Sequence, residues 1–124
     1  MSAKSITLAP ENQPQVTVYK NQKLIINKKN DCDKNFIKVS NDEWMYAARN
    51  LKDSTFKLYM YLAKDKEDYQ SALSPVAVKN HVGLSESSYR RAVSELIDKG
   101  YLVKQNFKNV DYEAYCFYSY PIAE

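Results

Sequence analysis

The stretch SPVAVKNHVGLSESSYRRAVSELIDKGYLVKQNFK, residues 74–108, decides the fold. Ser74-Pro75 is a helix start: a hydroxyl that can cap, then a proline at the first helical position, where its missing N–H is not needed. That helix is expected to be short, over about residues 75–81. Gly83 ends the turn that follows, since a helix C-cap asks for a left-handed residue. Ser85 caps a second helix that runs to its own glycine, Gly100. Along it Tyr89, Ala92, Val93, Leu96 and Ile97 recur at helical spacing as one apolar stripe. Ser87, Arg90, Arg91 and Ser94 project away from that stripe. Two capped helices separated by His81-Val82-Gly83-Leu84 read as a helix-turn-helix.

Outward toward the C-terminus, YLVKQNFK (101–108) and YEAYCFYSY (112–120) flank NVD. Their tyrosine and β-branched content around a turn-like break predicts a β-hairpin, which makes the unit winged. Gln105, Asn106, Lys108 and Asn109 are expected at the wing tip. The aromatic run Tyr112, Tyr115, Phe117, Tyr118 and Tyr120 has two readings. It could stack on single-stranded bases, or it packs the core with one strand face and a second subunit with the other.

Outward toward the N-terminus, Ser40 precedes Asp42 and Glu43, a hydroxyl cap and an acidic first turn. A helix is expected over 41–50, with Trp44, Ala47, Ala48 and Leu51 on its buried face. Asp53 or Ser54 caps the next helix. In TFKLYMYLA (55–63), Phe56, Tyr59, Met60 and Ala63 share one face, and Leu58 and Leu62 lie opposite. A helix apolar nearly all round should be the most buried. The charged stretch 64–72 reads as loop, and FIKV (36–39) as a short strand. Residues 15–20 and 23–27, split by Asn21-Gln22, alternate Val16, Val18, Leu24 and Ile26 with polar neighbours and suggest a first hairpin. The chain thus divides into a flexible leader (1–14), an N-terminal hairpin and loop (15–35), and a winged helix-turn-helix domain (36–124). The expected class is α+β: a helical core with a C-terminal hairpin wing, preceded by an extra N-terminal hairpin.

VAVKNHVGLSESSYRRAVSELIDKGYL, residues 76–102, resembles the winged helix-turn-helix of bacterial repressors of the gluconate-operon type. The second helix of that family runs roughly Ser-x-x-Thr-aliphatic-Arg-x-Ala-Leu-x-x-Leu-x-x-x-Gly. Ser85, Ser88, Tyr89, Arg90, Ala92, Val93, Leu96 and Gly100 stand at those places. Serine for threonine and tyrosine for the aliphatic residue are departures that keep a hydroxyl and a buried group. Residues 36–65 are similar to the opening of winged helices in phage and plasmid replication initiators. Together the two resemblances span about two thirds of the chain, and they imply a DNA-binding module.

The chemistry agrees. The N-terminal half of such a second helix enters the major groove. Arg90 and Arg91 could each make two hydrogen bonds to guanine O6 and N7. Ser85, Ser87 and Ser88 offer hydroxyls and N–H groups to phosphate at the helix N-terminus, and Ser94 continues the face. Lys79 and Asn80 end the preceding helix, where it crosses the DNA backbone. Lys104, Asn106, Lys108 and Asn109 would reach adjacent DNA. Lys20, Lys23, Lys28 and Lys29 are a candidate second DNA arm, while Val16, Val18, Leu24, Ile25 and Ile26 could equally exchange with a partner subunit. The bland reading of Arg90 and Arg91 is a solvated face paired with Glu86, Glu95 or Asp98. Glu86 is repulsive to phosphate, unless it accepts from cytosine N4.

Composition bounds the rest. The chain has 124 residues and a formal charge of +3, too small to prove a nucleic-acid partner. Residues 15–40 hold six lysines and two aspartates, and the remainder is nearly balanced. Cys32 and Cys116 form no CxxC pair, so reduced thiols are expected. A lone His81 without ligand partners at suitable spacing is expected at the surface and not on a metal. No membrane-length run and no secretory h-region are present, which points to the cytoplasm. There is no Ser/His/Asp spacing, GxxxxGK or HExxH. With Gly83 and Gly100 both used in capping, no glycine cradle remains for a nucleotide. No enzyme and no cofactor are expected. The expected partner is double-stranded DNA, read by a homodimer, with replication or conjugation machinery as a candidate protein partner. The rival readings are a protein-interaction winged helix (a replisome loader or adaptor) and a single-strand binder.

Overall fold

A computed structural model describes residues 18–19, 22–28, 39–65, 69–108 and 110–121. The elements in chain order are β1 (Lys23–Asn27), α1 (Asn41–Asn50), α2 (Asp53–Ala63), β2 (Gln70–Leu73), α3 (Pro75–Val82), α4 (Glu86–Asp98), β3 (Leu102–Gln105) and β4 (Ala114–Phe117). The protein is α+β, with four helices and a four-stranded mixed sheet among the described residues. None of these helices is long and apolar enough to cross a membrane.

Local chemistry sets most helix ends. The Ser40 side chain accepts from the Glu43 N–H, Ser74 from Ala77, and Ser85 from Ser88. Pro75 occupies the first turn of α3, and Gly83 closes that helix at φ +77°. Gly100 turns the chain out of α4 at φ +88°. Only glycine reaches these left-handed values without a Cβ penalty. The start of α2 is different. Lys52 is the N-cap, with no side-chain cap of its own, so neither Asp53 nor Ser54 caps this helix. The acceptor comes from α4, where Glu95 Oε1 takes the Lys52 N–H at 3.3 Å.

The sheet order is β2-β1-β4-β3. β1 runs antiparallel to β2 and parallel to β4, in the register Ile25↔Ser71 and Ile25↔Tyr115. β3 and β4 are antiparallel, with Leu102 opposite Phe117. A hairpin pairing 23–27 with 15–20 is therefore not made, because both edges of β1 are already taken. Residues 1–17, 20–21 and 29–38 lie outside the described residues, and with them the leader, most of the first predicted strand and FIKV up to Lys38. β2 replaces the end of the loop expected over 64–72.

The physical reason for the place of β1 lies in KLIIN. Leu24, Ile25 and Ile26 are consecutive apolar residues, which suits a strand covered on both faces. Ile25, Leu73, Leu102, Tyr115 and Phe117 pack beneath the helices with Ala47, Leu58, Tyr59, Leu62, Val78, Tyr89, Val93 and Leu96. On the opposite face Leu24, Ile26, Ala114 and Cys116 form a second cluster, covered in part by Val18, Phe107, Tyr112 and Tyr118. Asn27 is buried in β1, and its Nδ2 donates to the Leu62 carbonyl at 2.8 Å near the end of α2.

α2 is the central helix. It buries Thr55, Leu58, Tyr59, Leu62 and Ala63, with Phe56, Met60 and Tyr61 partly covered. α1 departs from expectation. Ala47 and Leu51 are buried, but Trp44 is 39% exposed and Ala48 is also exposed. α1 packs on α2 through that narrow stripe, while Glu43, Tyr46 and Asn50 make its further contacts with Ser119, Tyr120 and Lys99.

Candidate functional site

Three elements build the site: α3, the three-residue turn Gly83-Leu84-Ser85, and α4. Leu84 is buried in the turn and fixes it to the core. Tyr89, Ala92, Val93 and Leu96 anchor α4, whereas Ile97 is 37% exposed at the margin of the stripe. At 100° per residue the direction opposite this anchor belongs to Ser87, Arg91, Ser94 and Asp98, all exposed. The helix thus presents a ridge with a hydroxyl, a guanidinium and a second hydroxyl in succession.

Arg90 leans to one flank of the ridge. Its Nε donates to Glu86 Oε2 at 3.2 Å, and both side chains are largely exposed. Glu86 is the carboxylate that pairs with Arg90, while Glu95 is turned the other way. Arg91 has no carboxylate among its described contacts, and its Nη2 lies 3.5 Å from Ser88 Oγ. The Ser85 hydroxyl serves the helix itself, accepting from the Ser88 N–H at 3.2 Å and lying 3.3 Å from Ser87 Oγ.

Glu95 and Lys99 form a structural tie. Lys99 Nζ pairs with Glu95 at 2.8 Å and also donates to the Asn50 carbonyl, joining α4 to the end of α1. Partial burial pushes the Glu95 carboxyl up, but hydrogen bonds from Lys99, Thr55 and the Lys52 N–H outweigh it and hold the group below its usual value.

A groove of about 680 Å³ runs along the Arg90 flank. Glu86, Arg90, Ser94 and Ile97 of α4 form one wall. Lys23, Glu113 and Tyr115 form part of the other. Lys23 Nζ pairs with Glu113 Oε1 at 3.0 Å. A hydrogen bond from Lys23 is the main cause of a lowered Glu113 pKa, with the nearby Lys104 charge adding to it. The end of the β3–β4 connection and the exposed side of α4 therefore border one concavity. Lys79 and Asn80 stand exposed at the end of α3, beside the turn.

The remaining candidates divide. Lys104, Asn106 and Lys108 are exposed on the strand pair and its connection. Asn109, Lys20 and Lys29 lie outside the described residues. Lys28 is partly buried just after β1. Gln105 is not at a tip: it is 6% exposed, and its Nε2 donates to the Val103 carbonyl. Leu24, Ile25 and Ile26 are packed inside the chain's own sheet. β4 is buried on both faces, so it presents no subunit interface. Of the aromatic run only Tyr120 is largely exposed, and its ring sits 5.0 Å from that of Tyr46. His81 is exposed, stacked on Tyr61 at 5.7 Å, with Nδ1 3.2 Å from the Tyr61 hydroxyl. Among the described residues no cluster of His, Cys, Asp and Glu could hold a metal.

Sequence reasoning missed the Glu95 tie and the Lys23–Glu113 pair. The Lys52–Glu95 bond within that tie and the Lys23–Glu113 pair have no local signal, since the partners are 43 and 90 positions apart in sequence. Comparison with protein-family models, curated proteins and solved structures returns no match to this chain.

Proposed function

We propose that this chain is a winged helix-turn-helix protein that binds double-stranded DNA in a sequence-specific way, reading the major groove with α4. One observation carries the reading. α4 holds Ser87 and Arg91 outward in its N-terminal half, with Arg90 beside them and Ser94 one turn on, immediately after a three-residue turn. Such a helix can slide into a groove while its opposite face keeps it on the core. The shared groove between α4 and the β3–β4 connection supports a wing that meets the flanking backbone. The resemblance of residues 76–102 to bacterial repressors points the same way. The process served is transcriptional control or an accessory step in plasmid or phage replication, partition or transfer, with two copies reading two half-sites.

The Glu86–Arg90 ion pair favours the second reading, a protein-interaction module in which these arginines are only solvated. Salt separates the two. Lys79, Arg90, Arg91, Lys104 and Lys108 are five described cations that could meet phosphate or base. Five phosphate contacts give a slope of about −4.5 in log K against log salt, or about a 500-fold loss of affinity between about 50 and 200 mM. The experiment is titration of the protein with short duplexes from its own genetic neighbourhood over that range. The double variant Arg90→Ala/Arg91→Ala should abolish preference for one duplex and flatten the slope by about 2. No duplex preference at any salt, or a folded double variant that binds as wild type does, refutes the reading.

A further inference from the structure

Two surfaces outside the α4 ridge remain unexplained. The first is a groove of about 660 Å³ between α2 and the end of α3. Phe56, Met60, Tyr61 and Val82 give it an apolar floor, and they pack on the core from outside. Lys57, Lys64 and His81 form its rim, and Lys64 Nζ pairs with Asp65 at 3.2 Å. The rim is held in shape: Lys64 Nζ lies 4.2 Å from the centre of the Tyr61 ring, and His81 stacks on Tyr61. Lys57 and Lys64 are seven residues apart, about 10.5 Å along the α2 axis.

The second surface is the outer side of α1. Trp44 and Met45 are 39% and 38% exposed, and Ala48 one turn on is also exposed. These three positions form one helical stripe, with a small residue that lets another surface approach. Asp42 is exposed in the same first turn and is acidic where the groove is basic.

We infer that the two surfaces fit each other: the α1 stripe of one copy of this chain seats Trp44 and Met45 in the α2–α3 groove of a second copy. The charge match is Asp42 toward Lys57, since Lys64 is already paired with Asp65. The indole can lie on the apolar floor with an ammonium group over its face, the best aromatic partner for a cation. Met60 is unbranched and adapts its shape to an incoming ring. The contact is heterologous. Each copy gives α1 and receives α1, so copies join head to tail, and the assembly closes into a ring or stays open. This leaves the α4 ridge free, and it stands whether or not that ridge reads DNA.

Trp44 is the only tryptophan in the chain, so its fluorescence reports the contact directly. Full-length protein is followed by sedimentation and by Trp44 emission from about 1 μM to about 1 mM, a range that brackets weak association. The expected result is a rising mean mass with a parallel blue shift. Trp44→Glu removes the insert at an exposed position, and Met60→Glu blocks the groove at a partly buried one. Each variant alone should remain monomeric. Mixed in equal amounts they should form a dimer, since one keeps its groove and the other its α1. The Trp44 of the Met60→Glu chain should then shift blue. Far-ultraviolet circular dichroism checks that both variants fold. A wild type that stays monomeric throughout overturns the inference. So does a variant that still self-associates, or a mixture that does not pair. Trp44 emission that shifts on anionic vesicles but not with protein concentration would overturn it in favour of a membrane surface. A shift only with an acidic amphipathic peptide would overturn it in favour of a foreign protein.

Discussion

Two buried tyrosines allow a matched test of how the helical layer is joined to the C-terminal segment. Tyr59 of α2 is fully buried, and its hydroxyl donates to the Ser119 carbonyl at 2.8 Å. Ser119 in turn donates from its hydroxyl to Glu43 of α1 at 3.0 Å. Tyr101 is 1% exposed, and its hydroxyl has no hydrogen-bond partner among the described residues. The two rings meet edge to face, with centroids 5.5 Å apart. Replacing either residue by Phe keeps the ring and removes one oxygen. In Tyr59→Phe the loss strands a buried carbonyl and breaks the tie between α2 and the C-terminal segment. That costs about 2 kcal/mol, within the usual range for leaving a buried partner unsatisfied. For a domain of this size the midpoint should fall by roughly 8 °C. In Tyr101→Phe an unpaired hydroxyl leaves an apolar site, and the change should be within about 0.5 kcal/mol of neutral or stabilising. Thermal denaturation followed by circular dichroism measures both. Equal losses in the two variants, or a larger loss in Tyr101→Phe, would refute the assignment of the Tyr59–Ser119 bond as a structural tie.

Alkaline pH should unfold the protein in a defined window. Burial above all raises the Tyr89, Tyr101 and Tyr115 hydroxyls from 10.0 to about 12. The unfolded chain then loses these protons first, so stability is fully present below pH 10 and is lost as pH rises toward 12. Thermal midpoints and tyrosinate absorbance across that range check it, and a flat midpoint would contradict it. Gly83→Ala should cost about 1–2 kcal/mol through backbone strain alone, because φ is +77° and an added Cβ meets nothing within 4 Å. Gly83→Asn should cost less, as asparagine tolerates the left-handed region, and denaturant midpoints of the two variants decide the order. Glu86→Gln removes a carboxylate from the α4 ridge and frees Arg90 from its pair. On the DNA-binding reading it should tighten duplex affinity several-fold, because it removes a carboxylate that phosphate repels. Unchanged or weaker binding would argue that Arg90 faces no phosphate.

The sequence by itself determined the parts whose causes are local. The helix ends at Ser40, Ser74-Pro75 and Ser85 rest on hydrogen bonds spanning three residues. The turns at Gly83 and Gly100 rest on the φ of a single residue. The apolar stripe of α4 rests on helical period, and so the outward direction of Ser87, Arg91 and Ser94 was legible too. Tertiary structure alone decided what depends on distant partners. KLIIN could have been half of a local hairpin. It became a central strand because β2 and β4 offered it two edges and covered both its faces. Asp53 and Ser54 looked like caps for α2, yet the acceptor is Glu95, brought in by α4. Trp44 had the spacing of a core residue and is exposed, because only Ala47 and Leu51 of that stripe are buried against the core. Gln105 looked like a tip residue and is buried, because β3 extends that far along β4. A cap needs one chemical group at a fixed short separation. A strand's place in a sheet, and the burial that follows, depends on every other segment competing for the same edge.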